Sequence, residues 1–167
     1  ITNYRSEKVT HLLRSKYDSI ITTSKTINED DAILNIRIDG LNSLSPDLLI
    51  IDRKLKLKTN LKLFKIANKR KTYIFTLSKN KRKISFFKKK NCHIIRMSDL
   101  YDKNSFLNLF KTIYKLGKRR ILVESGLTFL TKLLKFKLVD TLYVFKSDKS
   151  LLNQGFNNIS SKFLNNF

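Results

Sequence analysis

The sequence predicts an α/β fold with a mainly parallel sheet flanked by helices. Two observations predict it. Short, continuous apolar runs of the kind found in strands covered on both faces recur along the chain. They alternate with longer stretches in which apolar residues fall at helical spacing.

The elements follow in order. Asn3 is placed to cap a helix running to about residue 17, with Val9, Leu12, Leu13 and Tyr17 as its apolar stripe. DSIITTS (18–24) is a short buried strand. DLLIIDR (47–53), TYIFTLS (72–78) and CHIIRMS (92–98) are three more. NSFLNLFKTIYKLG (104–117) is an amphipathic helix lined by Phe106, Phe110 and Ile113, with Gly117 as its stop. RILVES (120–125) is a buried strand, after which Gly126 opens a helix carrying Leu127, Leu130, Leu133 and Leu134. VDTLYVFKS (139–147) reads as a further strand. Residues 39–46 and 78–91 read as loops, although ISFF inside the second also fits a short edge strand. No repeat period is visible.

The chain of 167 residues suits one domain, and 41% apolar residues suffice for a packed core. No apolar run approaches the roughly 18 residues of a membrane span. The lone Cys92 excludes an internal disulfide and fits a reducing cytoplasm. With only His11 and His93 there is no zinc-ligand spacing. A net charge of +22, from 35 Lys+Arg against 13 Asp+Glu, raises the question of a nucleic-acid partner. Abundant Lys, Asn and Ile are also what AT-rich codons favour, and the cations are spread along the chain. KNKRKISFFKKK (79–90) is the best stretch for stacking bases between cations. Its Phe86 and Phe87 fit packing better, so a nucleic-acid module is the lesser reading.

Three stretches fit a site at the carboxyl ends of parallel strands. VESG (123–126) ends a strand at Glu124 and turns through Gly126 into a helix whose free N–H groups suit a phosphate. An ordinary strand–helix turn has the same pattern. Thr26 and Asp30, four apart, share one helical side and could grip ribose hydroxyls; acids are also stabilised near helix N-termini. Arg14 and Arg37 suit bidentate phosphate binding, or surface salt bridges.

Taken together, HLLRSKYDSIITTSKTINEDDAILNIR, LLIIDRKLKL and ILVESGLTFLTKLLKFKLVDTLYVF resemble the reductase domain of the bifunctional riboflavin-biosynthesis deaminase/reductase family, over about residues 1–156. The resemblance implies a dihydrofolate-reductase-like fold and a homodimer. It implies NADPH-dependent reduction of 5-amino-6-(5-phosphoribosylamino)uracil, with hydride passing to C1 of the opened ribose. Such a transfer needs orientation more than a strong acid or base, so no catalytic triad is expected. Residue by residue, it makes Arg14, Leu34 (through its backbone), Arg37 and Glu124 substrate contacts. It makes Thr26, Asp30, Arg53 and the run Gly126, Leu127, Thr128, Phe129, Leu130, Thr131 and Lys132 cofactor contacts, with Asp31 bracing the turn. Lys25 and Lys54 join Arg53 as candidates for a 2′-phosphate contact.

The sequence departs from the family pattern at Ala32 and Leu127, where proline is usual, and at Arg53, where a small serine is common. The family's opening strand with its Ser-Leu-Asp-Gly segment, its closing strands and the upstream zinc deaminase are not in these 167 residues, which begin with Ile1. The expectation is an incomplete reductase domain, residues 1–167, from a longer chain. A degenerate member that binds nucleotide without turnover is the alternative. The isolated chain is expected to show little or no turnover; robust NADPH oxidation by it in a spectrophotometric assay refutes that expectation.

Overall fold

The computed structural model describes residues 4–145. They belong to two compact units that divide after Gly126. The first holds five strands: β1 (Ser19–Thr23), β2 (Asp47–Ile51), β3 (Thr72–Thr76), β4 (Cys92–Arg96) and β5 (Ile121–Val123). All ladders are parallel, in the order β4-β3-β2-β1-β5. The chain steps outward from β1 to β4, then returns to place β5 on the other side of β1. That reversal makes the C-terminal ends of β1 and β5 a topological switch point, the place where open α/β sheets commonly take ligands.

Alternation along the strands sorts the core into two faces. Ile20, Leu48, Ile50 and Ile74 form one cluster with Ile27 of α2 (Ser24–Asp30) and Phe87 of α3 (Lys81–Lys89). On the other face, Phe75 lines a small cavity of 170 Å³ with Leu109 of α4 (Lys103–Lys115). All five predicted strands of the first unit are present, each shorter than predicted by two or three residues. Helix α4 starts on a capping box between Asp102 and Ser105. It stops where Gly117, at φ 80°, lets Lys118 N–H reach back to the Ile113 carbonyl at 3.3 Å. Its buried residues are Phe106, Leu109 and Ile113, so Leu109 takes the place expected for Phe110.

Three expectations are corrected. Residues 78–91 are not a loop or an edge strand. Asn80 caps α3 by accepting the Lys83 N–H at 3.0 Å, and Asn91, at φ 58°, ends it. Ile84 and Phe87, three apart, both turn to the core, which the dense lysines concealed.

The first helix, α1 (Tyr4–Arg14), ends three residues early. Its buried residues are His11 and Arg14, while Val9 and Leu12 are exposed. The polar partners of His11 and Arg14, described below, decide its orientation. Asn3, the expected cap, lies outside the described residues.

Residues 139–145 carry no strand, and four of the last five, Thr141, Tyr143, Val144 and Phe145, are exposed. Apolar sequence alone does not make a strand without a ladder partner. Residues 146 and 147 lie outside the described part.

The second unit, as described, contains α5 (Leu127–Lys135). It closes with Lys137 in the left-handed region and Leu138 N–H bonded to the Leu133 carbonyl at 2.9 Å.

Candidate functional site

Two short turns follow the strands at the switch point. The β1 turn starts with Thr23, which caps α2: its side chain accepts the Thr26 N–H at 3.3 Å. Thr26 Oγ1 lies 3.1 Å from Thr23 Oγ1 and accepts the Gly126 N–H at 3.2 Å. Two residues 100 apart in sequence thus meet directly. A Cβ on Gly126 would stand 3.8 Å from Thr26 Oγ1, an ordinary contact, and Gly126 is itself exposed. Asp30 sits one helical turn beyond Thr26 and is exposed. Asp31 ends α2 in a left-handed conformation, and its carboxylate accepts the Lys62 N–H at 2.9 Å. The brace expected at Asp31 is therefore a bond across to residue 62.

The β5 turn supplies Glu124. Its N–H bonds the Ile21 carbonyl at 3.0 Å, so the backbone extends the ladder one residue past β5. Both of its carboxylate oxygens accept from Arg14, from Nε and Nη2, each at 2.7 Å. This is a fork-to-fork ion pair, the strongest common geometry for these groups. Arg14 Nη1 also donates to the Asn35 carbonyl at 2.7 Å. Arg14 is therefore committed to Glu124 and the 33–37 loop. Glu124 keeps a free lone-pair direction on each oxygen.

Arg37 is the exposed cation of the group. Its Nη2 meets Glu7 Oε1 at 2.8 Å, and its backbone N–H donates to His11 Nδ1 at 3.4 Å. His11 is buried; burial, then the Arg14 and Arg37 charges, push its pKa below the usual 6.5. Leu34 has φ 55°, and its carbonyl is taken by Arg70 Nη1 at 2.7 Å. An open cleft of 390 Å³ lies along this loop, lined by Asn35, Arg37, Lys69 and Arg70 among others.

Arg53 is engaged elsewhere. It pairs with Asp99 and lies over the Tyr101 ring at 5.4 Å. No contact in the described residues joins it to Thr26 or Gly126. Leu127, Thr128, Phe129, Leu130, Thr131 and Lys132 form the start of α5, as expected. Leu127 and Thr128 are exposed and Phe129 is buried. The first turn of α5 carries no acid.

Sequence reasoning missed two residues. Asp52 is buried at the end of β2 and accepts from Lys56 N–H, Leu57 N–H and the Ser24 hydroxyl at 2.8–3.0 Å. Arg70 holds three carbonyls. Arginine in a lysine-dominated chain was a usable signal at residue 70, as it was at 14 and 37. Among the described residues, no group of His, Cys, Asp or Glu could hold a metal ion. No helix there is long and apolar enough to cross a membrane.

The parallel sheet, its strand order and the paired turns define a dihydrofolate-reductase-like α/β domain. Comparison with solved structures supports that fold. The reductase/deaminase of Thermotoga maritima aligns with a TM-score of 0.62 at 22% identity, covering 81% of this chain and 35% of that one. RibD of Acinetobacter baumannii gives 0.65 at 18% identity, covering 94% and 46%. The riboflavin biosynthesis reductase Rib7 of Saccharomyces cerevisiae gives 0.59 at 23%, covering 79% and 58%. The chain thus spans between about a third and three fifths of these relatives' lengths. Comparison with curated protein sequences gives no match. The family description RibD C-terminal domain matches residues 1–149, and the chain belongs to that family.

Two measurements check this geometry. In urea denaturation, Arg14→Met or Glu124→Gln alone should cost about 2–4 kcal/mol, because each leaves the other residue's charge without its counter-ion in a buried or part-buried place. A double-mutant cycle should then show coupling of at least about 1.5 kcal/mol. The second concerns His11. Below pH 6.5 the unfolded chain takes up a proton that folded His11 resists, so stability should fall as pH drops from 6.5 toward the lowered folded value. Above 6.5 the group adds no slope. His11→Asn, which can still accept the Arg37 N–H but cannot titrate, should flatten the stability profile below about pH 6.5 and leave it unchanged above.

Proposed function

We propose that this chain is the reductase domain of a riboflavin-pathway enzyme. It reduces 5-amino-6-(5-phosphoribosylamino)uracil to the ribitylamino product with NADPH. The observation that carries this reading is the Glu124–Arg14 pair held two residues from the Thr26–Gly126 junction, at the switch point of a parallel sheet. The relatives named above include a 5-amino-6-(5-phosphoribosylamino)uracil reductase and a riboflavin biosynthesis reductase.

Two local features support a dinucleotide. Gly126 is exposed and lacks a side chain where the backbone turns, and the first turn of α5 has no carboxylate to repel a phosphate. In this reading the N-terminal residues of α5, from Leu127 to Lys132, bind phosphate through main-chain N–H groups. Phe129, with its side chain buried, contributes backbone only. Thr26 and Asp30 hold ribose hydroxyls. When bound, the reduced nicotinamide supplies the hydride.

The chain's own contribution is orientation. Glu124, locked by Arg14, accepts from substrate N–H or O–H groups on its remaining lone pairs. Arg37 and the Leu34 backbone hold the sugar-phosphate end, with Glu7 releasing Arg37 to the phosphate. Fixing two carbons at near-attack distance accounts for much of the barrier in such transfers. Arg53, bound to Asp99, contributes to the 2′-phosphate only if that pair opens. A homodimer and a cytoplasmic setting go with this reading.

The test uses the whole protein that carries this domain, in a steady-state NADPH oxidation assay with the pyrimidine ribose phosphate. Glu124→Gln should lower kcat/KM by about 10²-fold or more, and Asp30→Asn should raise the KM for NADPH about tenfold with little change in kcat. A wild-type protein that binds NADPH without oxidising it would instead mark a degenerate, nucleotide-binding member.

A further inference from the structure

The loop between α2 and β2 bends at Leu34, whose φ of 55° lies in the left-handed region. A leucine resists that conformation because its Cβ crowds the following carbonyl. Something must hold it there, and Arg70 is in place to do so. Its Nη1 donates to the Leu34 carbonyl at 2.7 Å and to the Pro46 carbonyl at 3.0 Å, and its Nη2 donates to the Ile33 carbonyl. Arg14 takes the next carbonyl, that of Asn35. Ile36 N–H then donates to Ser45 Oγ at 3.0 Å, and Arg37 N–H to His11. Every residue from Ile33 to Arg37 is thus anchored through its backbone.

Arg70 is 8% exposed, and its direct partners are carbonyls rather than a carboxylate. Burial, with repulsion from Arg14, lowers its pKa to about 10. A buried cation whose hydrogen bonds go only to carbonyls is costly as packing material. Its guanidinium is what the loop requires, because one planar fork can serve three carbonyls at once. The same residue lines the 390 Å³ cleft with Asn35, Arg37 and Lys69.

We propose that Arg70 is a positioning residue for the sugar-phosphate substrate: by gripping the Ile33, Leu34 and Pro46 carbonyls it fixes the left-handed turn that sets Arg37 at the cleft. This assignment rests on the reductase reading above. It also separates two tasks among neighbouring arginines. Arg70 and Arg14 shape the loop, and Arg37 is left with its side chain exposed to meet an anion.

The experiment uses the full protein carrying the domain. Arg70→Met should raise the KM for the pyrimidine ribose phosphate about tenfold or more, with kcat within about threefold and the NADPH Kd within about twofold. Leu34→Gly placed in the Arg70→Met background should recover part of the lost KM, since glycine adopts the left-handed turn unaided. An unchanged KM, no recovery by the glycine, or a parallel loss of NADPH affinity and kcat overturns the proposal. If the wild type does not turn over this substrate, the functional reading fails on its own. Hydrogen exchange at residues 33–37 then decides the clamp separately. Faster exchange there in Arg70→Met, with β1 amides unchanged, supports it, and equal exchange rates refute it.

Discussion

The bidentate bond between Arg14 and Glu124 is the constraint on which the rest of the site depends. It joins the end of α1 to the end of β5 across 110 residues of chain, and it does so over the switch point of the sheet. Without it, α1 would have no reason to bury His11 and Arg14 while leaving Val9 and Leu12 exposed. The helix is oriented by charge rather than by an apolar stripe. The same guanidinium reaches the Asn35 carbonyl, so the position of the 33–37 loop is tied to the position of Glu124. An ion pair of this kind contributes little net stability once the desolvation of both partners is counted. Its effect is specificity of geometry: three separate stretches of chain must arrive together for any one of them to be satisfied.

The scarcity of acids gives this pattern its force. Asp18 accepts N–H groups from Arg119 and Arg120, which ties the start of β1 to the start of β5; those backbone bonds hold its pKa below the usual value. Asp47 accepts from Lys71 N–H and pairs with Lys118 Nζ at 2.6 Å. Asp31 takes Lys62, Asp52 organises the turn after β2, Asp99 takes Arg53 and Asp102 caps α4. In a chain with 13 acids against 35 cations, these carboxylates are placed at junctions between elements. The positive excess is left on the surface, where screening makes it cheap. It also favours encounter with multiply anionic ligands such as nucleotides and sugar phosphates.

What the sequence showed and what it hid follow from range. The strands were legible because a buried parallel strand is a local, continuous apolar run, and TYIFT or DLLII needs no distant partner to be recognised. The turns that hold Thr26 and Gly126 were legible, since each follows a strand, but the bond between those two residues was not. Helix α3 was hidden because its apolar pair, Ile84 and Phe87, sits among lysines that mask the helical period. The exposure of Val9 and Leu12 was hidden because it depends on Glu124, more than a hundred residues away. The role of Arg70 was hidden for the same reason, as its partners are backbone carbonyls that carry no sequence signature.

These arginines explain how distant backbone segments can be tied together in such a lysine-rich chain. A lysine has one compact charge and could satisfy a carboxylate or a single carbonyl. It could not bridge both oxygens of Glu124 and a carbonyl of a neighbouring loop, or hold the carbonyls of Ile33, Leu34 and Pro46 together. At residues 14 and 70 the planar fork is therefore a geometric necessity, and surface positions are free to be lysine. The proposed hydride transfer, which brings two carbons into register, needs walls that do not move. Rigid backbone, held from behind by guanidinium groups, supplies such walls.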